Sequence, residues 1–177
     1  MVDIIENQKC VFCFKDTMTM TEEEIDIPYF GKTFVFGMSC GSCGVSKSDV
    51  EAAEDKDPVK VTFTTESEED MKVRVVKSSE ATVKIPTLRM SVDSGPASDG
   101  YVTNIEGLIH RFEKIVEDQR DNTDDKAVAK SAKNLLKKIR KVKWGEIPCK
   151  IVIMDPTGNS AIISEKAVIE KLKRKKK

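Results

Sequence analysis

The sequence contains few aromatic residues, which make up 6% of its 177 positions, and a single histidine, His110. No aromatic residue interrupts the basic stretches, so they lack a stacking platform for single-stranded nucleic acid. No apolar run approaches the roughly 18 consecutive residues that a membrane-spanning helix requires. No paired carboxylates, nucleophile with a base, or glycine-rich nucleotide loop stands out. We therefore expect no enzymatic activity, no small-molecule substrate and no membrane partner.

The sequence also lacks a net charge, because its 30 basic and 30 acidic residues balance. The charges are nevertheless segregated along the chain. Residues 47–70 hold nine acidic and three basic residues, whereas residues 126–143 hold eight basic residues and no acidic one. The last five residues, 173–177, are all basic. A patchy surface of this kind suits electrostatic steering of a partner.

Cysteine is also scarce, yet four of the five cysteines form two Cys-x2-Cys pairs. The pairs are Cys10 with Cys13 and Cys40 with Cys43, separated by 26 residues. Each pair forms a knuckle that brings two sulfurs to one ion, and two knuckles complete the four-thiolate shell that zinc favours. All four ligand positions are filled by protein, which predicts one structural zinc ion. Cys149 lies in an apolar run, where we expect an inert buried thiol.

Disulfide bonds and a redox-active Cys-x2-Cys are the alternative interpretations of these cysteines. No secretory signal precedes them, which favours a reducing, cytoplasmic location over disulfides. The knuckles occur as a pair without a βαβ pattern, which disfavours a redox motif. Gly41 and Gly44 suit the tight turn of the second knuckle. The first knuckle has Val11 and Phe14 instead, so its turn is less conventional.

The residues predict an α+β chain of two parts, a zinc ribbon at residues 1–54 and a β-rich domain at residues 55–177. In the ribbon, uneven alternation over residues 25–39 around Pro28 and Gly31 predicts a two-stranded hairpin. A module this small needs its metal for much of its stability. In the β-rich domain, alternating apolar residues predict one sheet with strands at 59–63, 71–75, 83–85 and 88–92. A strand at 149–154, a type I turn at 155–158 and a returning strand at 160–163 follow.

Between these strands, the apolar residues recur every three or four positions, as they do in an amphipathic helix. Thr103 and Glu106 form a T-x-x-E capping box at the start of the first helix. A second helix covers about residues 126–142 and is capped by Asp124 or Asp125. We predict that this helical hairpin, at about residues 103–142, is inserted into the β-rich domain with Phe112 and Leu135 buried. The apolar stripe of the first helix comprises Ile105, Leu108, Ile109, Phe112, Ile115 and Val116.

These motifs resemble those of the ZPR zinc-finger family, in its short, single-module archaeal form. The resemblance covers most of the chain and includes both knuckles, the segment Ile27-Pro28-Tyr29-Phe30 between them, and CGSCGVSKSDV from residue 40 to residue 50. It continues through DMKVRVVKSSEATVKIPTL at residues 70–88, TNIEGL at the helix start, and DPTGNSAI at residues 155–162. The first knuckle departs from the commoner Cys-Pro-x-Cys-Gly form of the family.

The resemblance implies a zinc ribbon joined to a β-sandwich of double-stranded β-helix type with a helical hairpin. It also implies an adaptor or folding chaperone for translation elongation factor 1-alpha, since eukaryotic relatives with two copies of the module bind that factor. The family motifs supply the candidate partner contacts. They are Tyr29, Phe30, Asp155, Pro156, Thr157, Gly158, Asn159 and Ser160. A plain structural turn is the alternative interpretation of residues 155–160.

Nucleic-acid binding is the main alternative function. On the second helix, basic residues recur every three or four positions and form a ridge of Lys126, Lys130, Lys133, Lys137 and Arg140. Zinc ribbons often contact nucleic acid, and the basic residues 173–177 would add phosphate contacts. An ordinary solvated helix face explains the same pattern. We expect His110, beside the apolar stripe of the first helix, to be a surface residue rather than a catalytic base.

Overall fold

The computed structural model describes residues 2–27, 30–54, 56–95 and 98–172. Tyr29 and the basic residues 173–177, both part of the sequence predictions, lie outside the described residues. The α-helices within these ranges are α1 (Ile105–Asp121) and α2 (Lys126–Lys143). The strands are β1 (Val2–Lys9), β2 (Asp16–Ile27), β3 (Gly31–Cys40), β4 (Ser46–Ala52), β5 (Val59–Thr65), β6 (Arg74–Lys77), β7 (Thr82–Ile85), β8 (Met90–Val92), β9 (Tyr101–Asn104), β10 (Cys149–Asp155), β11 (Ala161–Ile162) and β12 (Val168–Lys171). The predicted α+β class is confirmed.

The cysteine-bearing part of the chain is an antiparallel sheet with the strand order β1-β2-β3-β4, which we call the zinc sheet. The predicted hairpin is its centre, but β2 and β3 extend well beyond residues 25–39 and pair from Ile27↔Gly31 to Met18↔Cys40. The ribbon has four strands in the described residues rather than the predicted two. The outer strands escaped prediction because they do not alternate clearly. All eight residues of β1 are exposed, so its side chains carry no in-and-out pattern.

The remaining strands form two antiparallel sheets with the orders β12-β5-β10-β7-β8 and β11-β6-β9. We call them together the β domain. The prediction of a single sheet was wrong, because β6 lies in the second sheet while β5, β7 and β8 lie in the first. Two strand starts were also wrong: Met71 lies in a 3-10 helix (Glu68–Lys72) and Leu88 in another (Pro86–Leu88). Both side chains are buried, and a short buried turn resembles a half-buried strand in sequence.

The strand predicted at residues 160–163 also takes a different partner. Its ordered part, β11, pairs with β6, at Ala161↔Val76 and Ile162↔Val75, instead of returning onto β10. After Asp155 the chain therefore crosses from one sheet to the other. The position of the loop at residues 155–160, between the sheets, follows from this crossing.

The helical hairpin begins one residue later than predicted. The N-cap of α1 is Asn104, whose side-chain oxygen accepts a hydrogen bond from the backbone N–H of Gly107 at 2.7 Å. The capping box of Thr103 and Glu106 is wrong because Thr103 still belongs to β9 and pairs with Val75. Asp125 caps α2, and its carboxylate accepts from the N–H of Ala127 at 2.7 Å.

The main core lies between the helices and the sheets. Phe112 is 2% exposed, which confirms its predicted burial, whereas Leu135 packs against the same cluster but is only partly buried. Ile115 was wrongly placed in the apolar stripe. Its side chain is 50% exposed because the position lies at the edge of the stripe, on the solvent side. None of the helices in the described residues combines the length and apolar content needed to cross a membrane.

Candidate metal centre

The four predicted ligands converge at one end of the zinc sheet. Cys10 and Cys13 lie at the turn between β1 and β2, while Cys40 ends β3 and Cys43 lies in the turn before β4. Successive antiparallel hairpins place these two turns at the same end of the sheet. The four Sγ atoms all lie within 4.8 Å of one another. The structure therefore assembles from two distant sequence motifs one compact group of sulfur donors.

The spacing of the sulfurs fits a tetrahedral zinc ion. Sγ of Cys10 lies 3.8 Å from that of Cys43, and Sγ of Cys13 lies 3.7 Å from that of Cys40. A tetrahedron with Zn–S bonds of about 2.3 Å has edges of about 3.8 Å. A disulfide would require about 2.05 Å, and all five cysteines are free. The four cysteines are thus positioned to bind one zinc ion, which would supply structural cross-linking through four thiolates.

Each knuckle is closed by the same backbone hydrogen bond. The N–H of Phe14 donates to the carbonyl of Cys10 at 2.8 Å, and the N–H of Gly44 donates to the carbonyl of Cys40 at 3.0 Å. Both donors have a left-handed backbone, with φ of 61° at Phe14 and 72° at Gly44. The two turns therefore share one conformation, although glycine accommodates it easily and phenylalanine does not.

Polar groups beside Cys40 favour the thiolate form of this ligand, whereas burial and hydrogen bonds to the other three sulfurs raise the pKa of Cys43 to about 11. The Thr17 hydroxyl lies 3.2 Å from Sγ of Cys40. This contact, together with a backbone hydrogen bond from Cys43, lowers the pKa of the Cys40 thiol to about 6. Metal binding requires the thiolate form. Deprotonating a thiol that ionises near neutral pH costs less free energy, so such a thiol binds a metal more readily. Sequence reasoning missed Thr17, since a threonine outside the knuckle has no spacing signature.

Cys149 lies apart from this centre, as predicted. It is fully buried at the start of β10, and its burial raises the pKa of its thiol to about 11. A buried, protonated thiol is a poor nucleophile and a poor metal ligand. Its role is that of a small apolar residue in the main core.

The loop at residues 155–160 is organised around a buried carboxylate. Oδ2 of Asp155 accepts hydrogen bonds from the hydroxyls of Ser78, at 2.7 Å, and Ser160, at 2.5 Å. Oδ1 accepts from the N–H and the hydroxyl of Thr157, at 2.8 and 2.7 Å. Asp155, Gly158 and Ser160 are buried, whereas Pro156 and Thr157 are exposed. Only the tip of the loop is thus directly accessible to a partner.

The same loop contacts the zinc sheet. The side-chain oxygen of Asn159 accepts from the N–H of Ala52 on β4 at 3.2 Å. Gly158, with φ of 78°, lies so close to Lys56 and Asp57 that a Cβ atom there would overlap with both residues. Phe30 lies near this loop, with the ammonium of Lys56 located 3.5 Å from its ring centroid. Phe30, Gly158 and Ser160 line one cleft of 560 Å³, so the structure brings these three candidate residues together.

A second contact between the zinc sheet and the β domain involves residues to which sequence reasoning assigned no role. The hydroxyl of Ser48 donates to the carbonyl of Gly100 at 2.7 Å, and the N–H of Gly100 donates to the carbonyl of Ser48 at 2.8 Å. Asp49, beside them, binds Ser79. An apolar cluster of Ile27, Val50 and Val76 lies between the two parts. The motifs containing residues 46–50, 77–80 and 155–160 therefore meet at a single junction.

The remaining candidates lie on the surface. The ridge residues Lys126, Lys130, Lys133, Lys137 and Arg140 are all exposed. His110 is a surface residue, as predicted, and its Nδ1 lies 3.3 Å from the carboxylate of Glu113. Neither feature contributes to the metal centre or to the junction.

Comparisons with known proteins agree with this architecture. A ZPR1-like protein of Methanocaldococcus jannaschii is 36% identical over 162 residues, which cover 91% of this chain and 82% of that protein. A ZPR1-like protein of Pyrococcus horikoshii is 37% identical over 149 residues, covering 82% of this chain and 67% of that protein. The zinc finger chaperone zpr1 of Schizosaccharomyces pombe is 30% identical over 157 residues, covering 86% of this chain but only 33% of the relative.

Two family models match consecutive parts of the sequence. Residues 4–58 match the ZPR1 zinc-finger domain, and residues 69–177 match the ZPR1 jelly-roll domain. The first range contains all four zinc ligands, and the second contains the helical hairpin and most strands of the two sheets of the β domain. From these matches and the archaeal-type relatives aligned along most of its length, we conclude that this chain belongs to the ZPR1 zinc-finger family.

Proposed function

We propose that this protein is a zinc-stabilised adaptor or folding chaperone that binds translation elongation factor 1-alpha in the cytoplasm and catalyses no reaction of its own. The observation that carries the proposal is the alignment of 86% of this chain with a relative named a zinc finger chaperone. That alignment is long enough to include the zinc sheet and much of the β domain together. The choice of elongation factor 1-alpha rests on the family resemblance described from the sequence motifs.

The junction supports a function that requires both parts of the chain. A cleft of 380 Å³ lies between the zinc sheet and the β domain. The zinc sheet contributes the apolar side chains of Ile5, Met20 and Met38, and the β domain contributes Ser79 and Glu80. A cleft that combines apolar side chains with polar and charged ones suits an extended segment of an incompletely folded protein. Such a cleft exists only while the two parts are held together.

The candidate partner contacts act in two ways in this proposal. Phe30, Pro156 and Thr157 offer accessible surface to the partner. Asp155 and Ser160 are buried, so they act by holding the loop in shape. We include Tyr29 as a contact because of its place in the sequence motif beside Phe30.

Titration calorimetry with purified elongation factor 1-alpha tests the proposal. We expect the native chain to bind and a Cys40→Ser chain, which cannot complete the zinc site, to lose binding. A chain with Lys130, Lys133 and Lys137 changed to Gln is the matched control, since it alters the exposed ridge and leaves the junction intact. Absence of heat with the native chain, in both nucleotide states of the factor, would contradict the proposal.

Nucleic-acid binding through α2 is the second candidate, favoured by the exposure of all five ridge residues. Binding of this kind weakens steeply with salt, and each lost phosphate contact reduces the slope by about one unit. We expect the native chain and the triple Gln chain to show the same weak RNA binding in a salt titration. Tight binding that the Gln chain loses would favour this second function instead.

A further inference from the structure

The two zinc knuckles share a backbone conformation but differ in the side chains that they expose. Phe14 and Gly44 occupy equivalent positions, each with a positive φ and each donating to the carbonyl of the first cysteine of its knuckle. A left-handed backbone is easy for glycine and unfavourable for a bulky residue. The first knuckle thus keeps a strained phenylalanine where the fold accepts glycine.

Burial of the ring does not offset this strain. Phe14 is 70% exposed, and among the described residues it belongs to none of the three apolar clusters. A Cβ atom added at Gly44 would have no other atom within 4 Å, so the equivalent position in the second knuckle also faces open space. Backbone strain that stabilises nothing within the fold is typical of a residue kept for function.

Two neighbours of Phe14 are exposed on the same turn. Val11 is 67% exposed and Phe12 is 55% exposed. The second knuckle instead presents Gly41, Ser42 and Gly44. We call Val11, Phe12 and Phe14 the apolar tip. Clustered apolar side chains at a protruding turn mark an interaction site, and aromatic side chains, phenylalanine included, are enriched at such sites.

The charges around the apolar tip indicate which kind of partner binds there. Lys9 and Lys15 flank the tip, are exposed, and make no ion pair with another described residue. A zinc ion with four thiolates carries a net charge of about −2, so the two lysines leave no net positive charge here to attract a phosphate backbone or an anionic membrane. The lysines balance that charge and remain at the edge of the tip, where they suit carboxylates at the rim of a protein pocket.

We propose that the apolar tip inserts into an apolar pocket with an acidic rim on the partner protein, which is elongation factor 1-alpha. This inference rests on the proposed function and adds an anchor outside the partner contacts predicted from the sequence. The lysines pair with carboxylates of the acidic rim, and Phe12 and Phe14 provide the buried contact. The zinc ion acts by holding the turn that presents them.

Two single substitutions separate binding from stability. Phe14→Gly removes the strain and the anchor, so we expect the melting temperature to rise by about 2 to 4 °C and the affinity for the factor to fall at least tenfold. Gly44→Ala introduces strain and leaves the apolar tip unchanged. We expect it to lower the melting temperature while the affinity stays within twofold. A purely structural role for Phe14 predicts instead that affinity and stability change in the same direction.

Calorimetry with the full chain and purified factor, together with zinc analysis of each variant, gives the result. If the native chain binds and both Phe14→Gly and a Val11→Ser, Phe12→Ser chain bind equally well, the proposed tip is overturned while the proposed function stands. If the native chain does not bind, both are overturned. Binding of poly(U) RNA that is lost in Phe14→Gly would also overturn the inference, since it would identify the phenylalanines as a base-stacking surface.

Discussion

The carboxylate of Asp49 accepts two hydrogen bonds from Ser79, one from the backbone N–H at 2.8 Å and one from the hydroxyl at 2.6 Å. Asp49 lies on β4 of the zinc sheet, and Ser79 follows β6 of the β domain. One side chain thus links the metal-binding part of the chain to the rest of the fold. Hydrogen bonds to an ionised acceptor are stronger than those between neutral groups.

Removing this link should loosen the junction. Asp49→Ala leaves the N–H and hydroxyl of Ser79 without their acceptor, and we expect the free energy of unfolding to fall by about 1 to 3 kcal/mol in urea denaturation. Asp118→Ala, at an exposed position on α1, is the control and should change it by less than about 0.5 kcal/mol. In the double variant with Ser79→Ala the two losses should not add. Full additivity would show that the pair makes no coupled contribution.

Loss of zinc should unfold the zinc sheet first. Cys40→Ser removes one of four ligands, and a sheet with only small apolar clusters of its own depends on the ion for its stability. We expect metal analysis to find one zinc per native chain, none in Cys40→Ser, and one in Cys149→Ser. Hydrogen exchange should show lost protection in β2 and β3 and retained protection in β10. Loss of zinc from Cys149→Ser would contradict the ligand set.

Gly158 should tolerate no side chain. Its φ of 78° disfavours any other residue, and an added Cβ would lie 2.7 Å from Cβ of Lys56. Gly158→Ala should therefore lower the free energy of unfolding by more than about 2 kcal/mol in thermal or urea denaturation. Gly95→Ala is the matched control, because nothing lies within 4 Å of that position. Equal stability of the two variants would disprove the close approach between this loop and residues 56–57.

The packing of the helical hairpin should depend on Phe112 far more than on Ile115. Phe112→Ala creates a cavity in the main core and should cost about 3 to 5 kcal/mol. Leu135 is only partly buried, so Leu135→Ala should cost less. Ile115→Ala, at a half-exposed position, should change the free energy of unfolding least. Urea denaturation of the three variants measures the order directly, and a reversal of Phe112 and Ile115 would show that α1 is rotated relative to the core.

Protonation of Asp70 should account for part of the decrease in the free energy of unfolding at acid pH. Burial raises the pKa of this carboxyl, but hydrogen bonds from the backbone of Glu66 and from Lys166, 3.0 Å away, outweigh it and hold the pKa below its ordinary value. A lowered folded-state pKa stabilises the protein above the unfolded value of about 3.9, and this contribution disappears as the pH falls through the folded value.

Asp70→Asn isolates this contribution. We expect the variant to be less stable than the native chain by about 1 kcal/mol at pH 7, and the difference to shrink as the pH falls below the unfolded value of about 3.9. Asp121→Asn is the control, since Asp121 pairs with Arg120 at an exposed position where solvent screens the interaction. Urea denaturation at several pH values measures both. A difference that stays constant from pH 7 to pH 3 would exclude the ionic interaction.

The sequence by itself determined the metal centre and the helical hairpin. The spacing of Cys10, Cys13, Cys40 and Cys43 predicts a four-thiolate zinc site because two short turns are sufficient to supply all its ligands. The helices of the hairpin were visible because the 3.6-residue period repeats along a single segment. Both signals are local, so they need no knowledge of which distant segment packs against them. Even here the cap was displaced by one residue, because pairing of Thr103 with Val75 extended β9.

Only the tertiary structure decided how the strands pair and where the two parts of the chain meet. Strand formation depends on neighbours that are distant in sequence, so the exposed β1 and the division of β5 and β6 between two sheets have no local signature. The partners of Asp49 and Asp155 likewise come from segments that the fold brings together. The left-handed backbone of Phe14 is the clearest case. Local preference opposes it, and the hydrogen bond that closes the zinc knuckle, together with the convergence of four sulfurs at one site, imposes it.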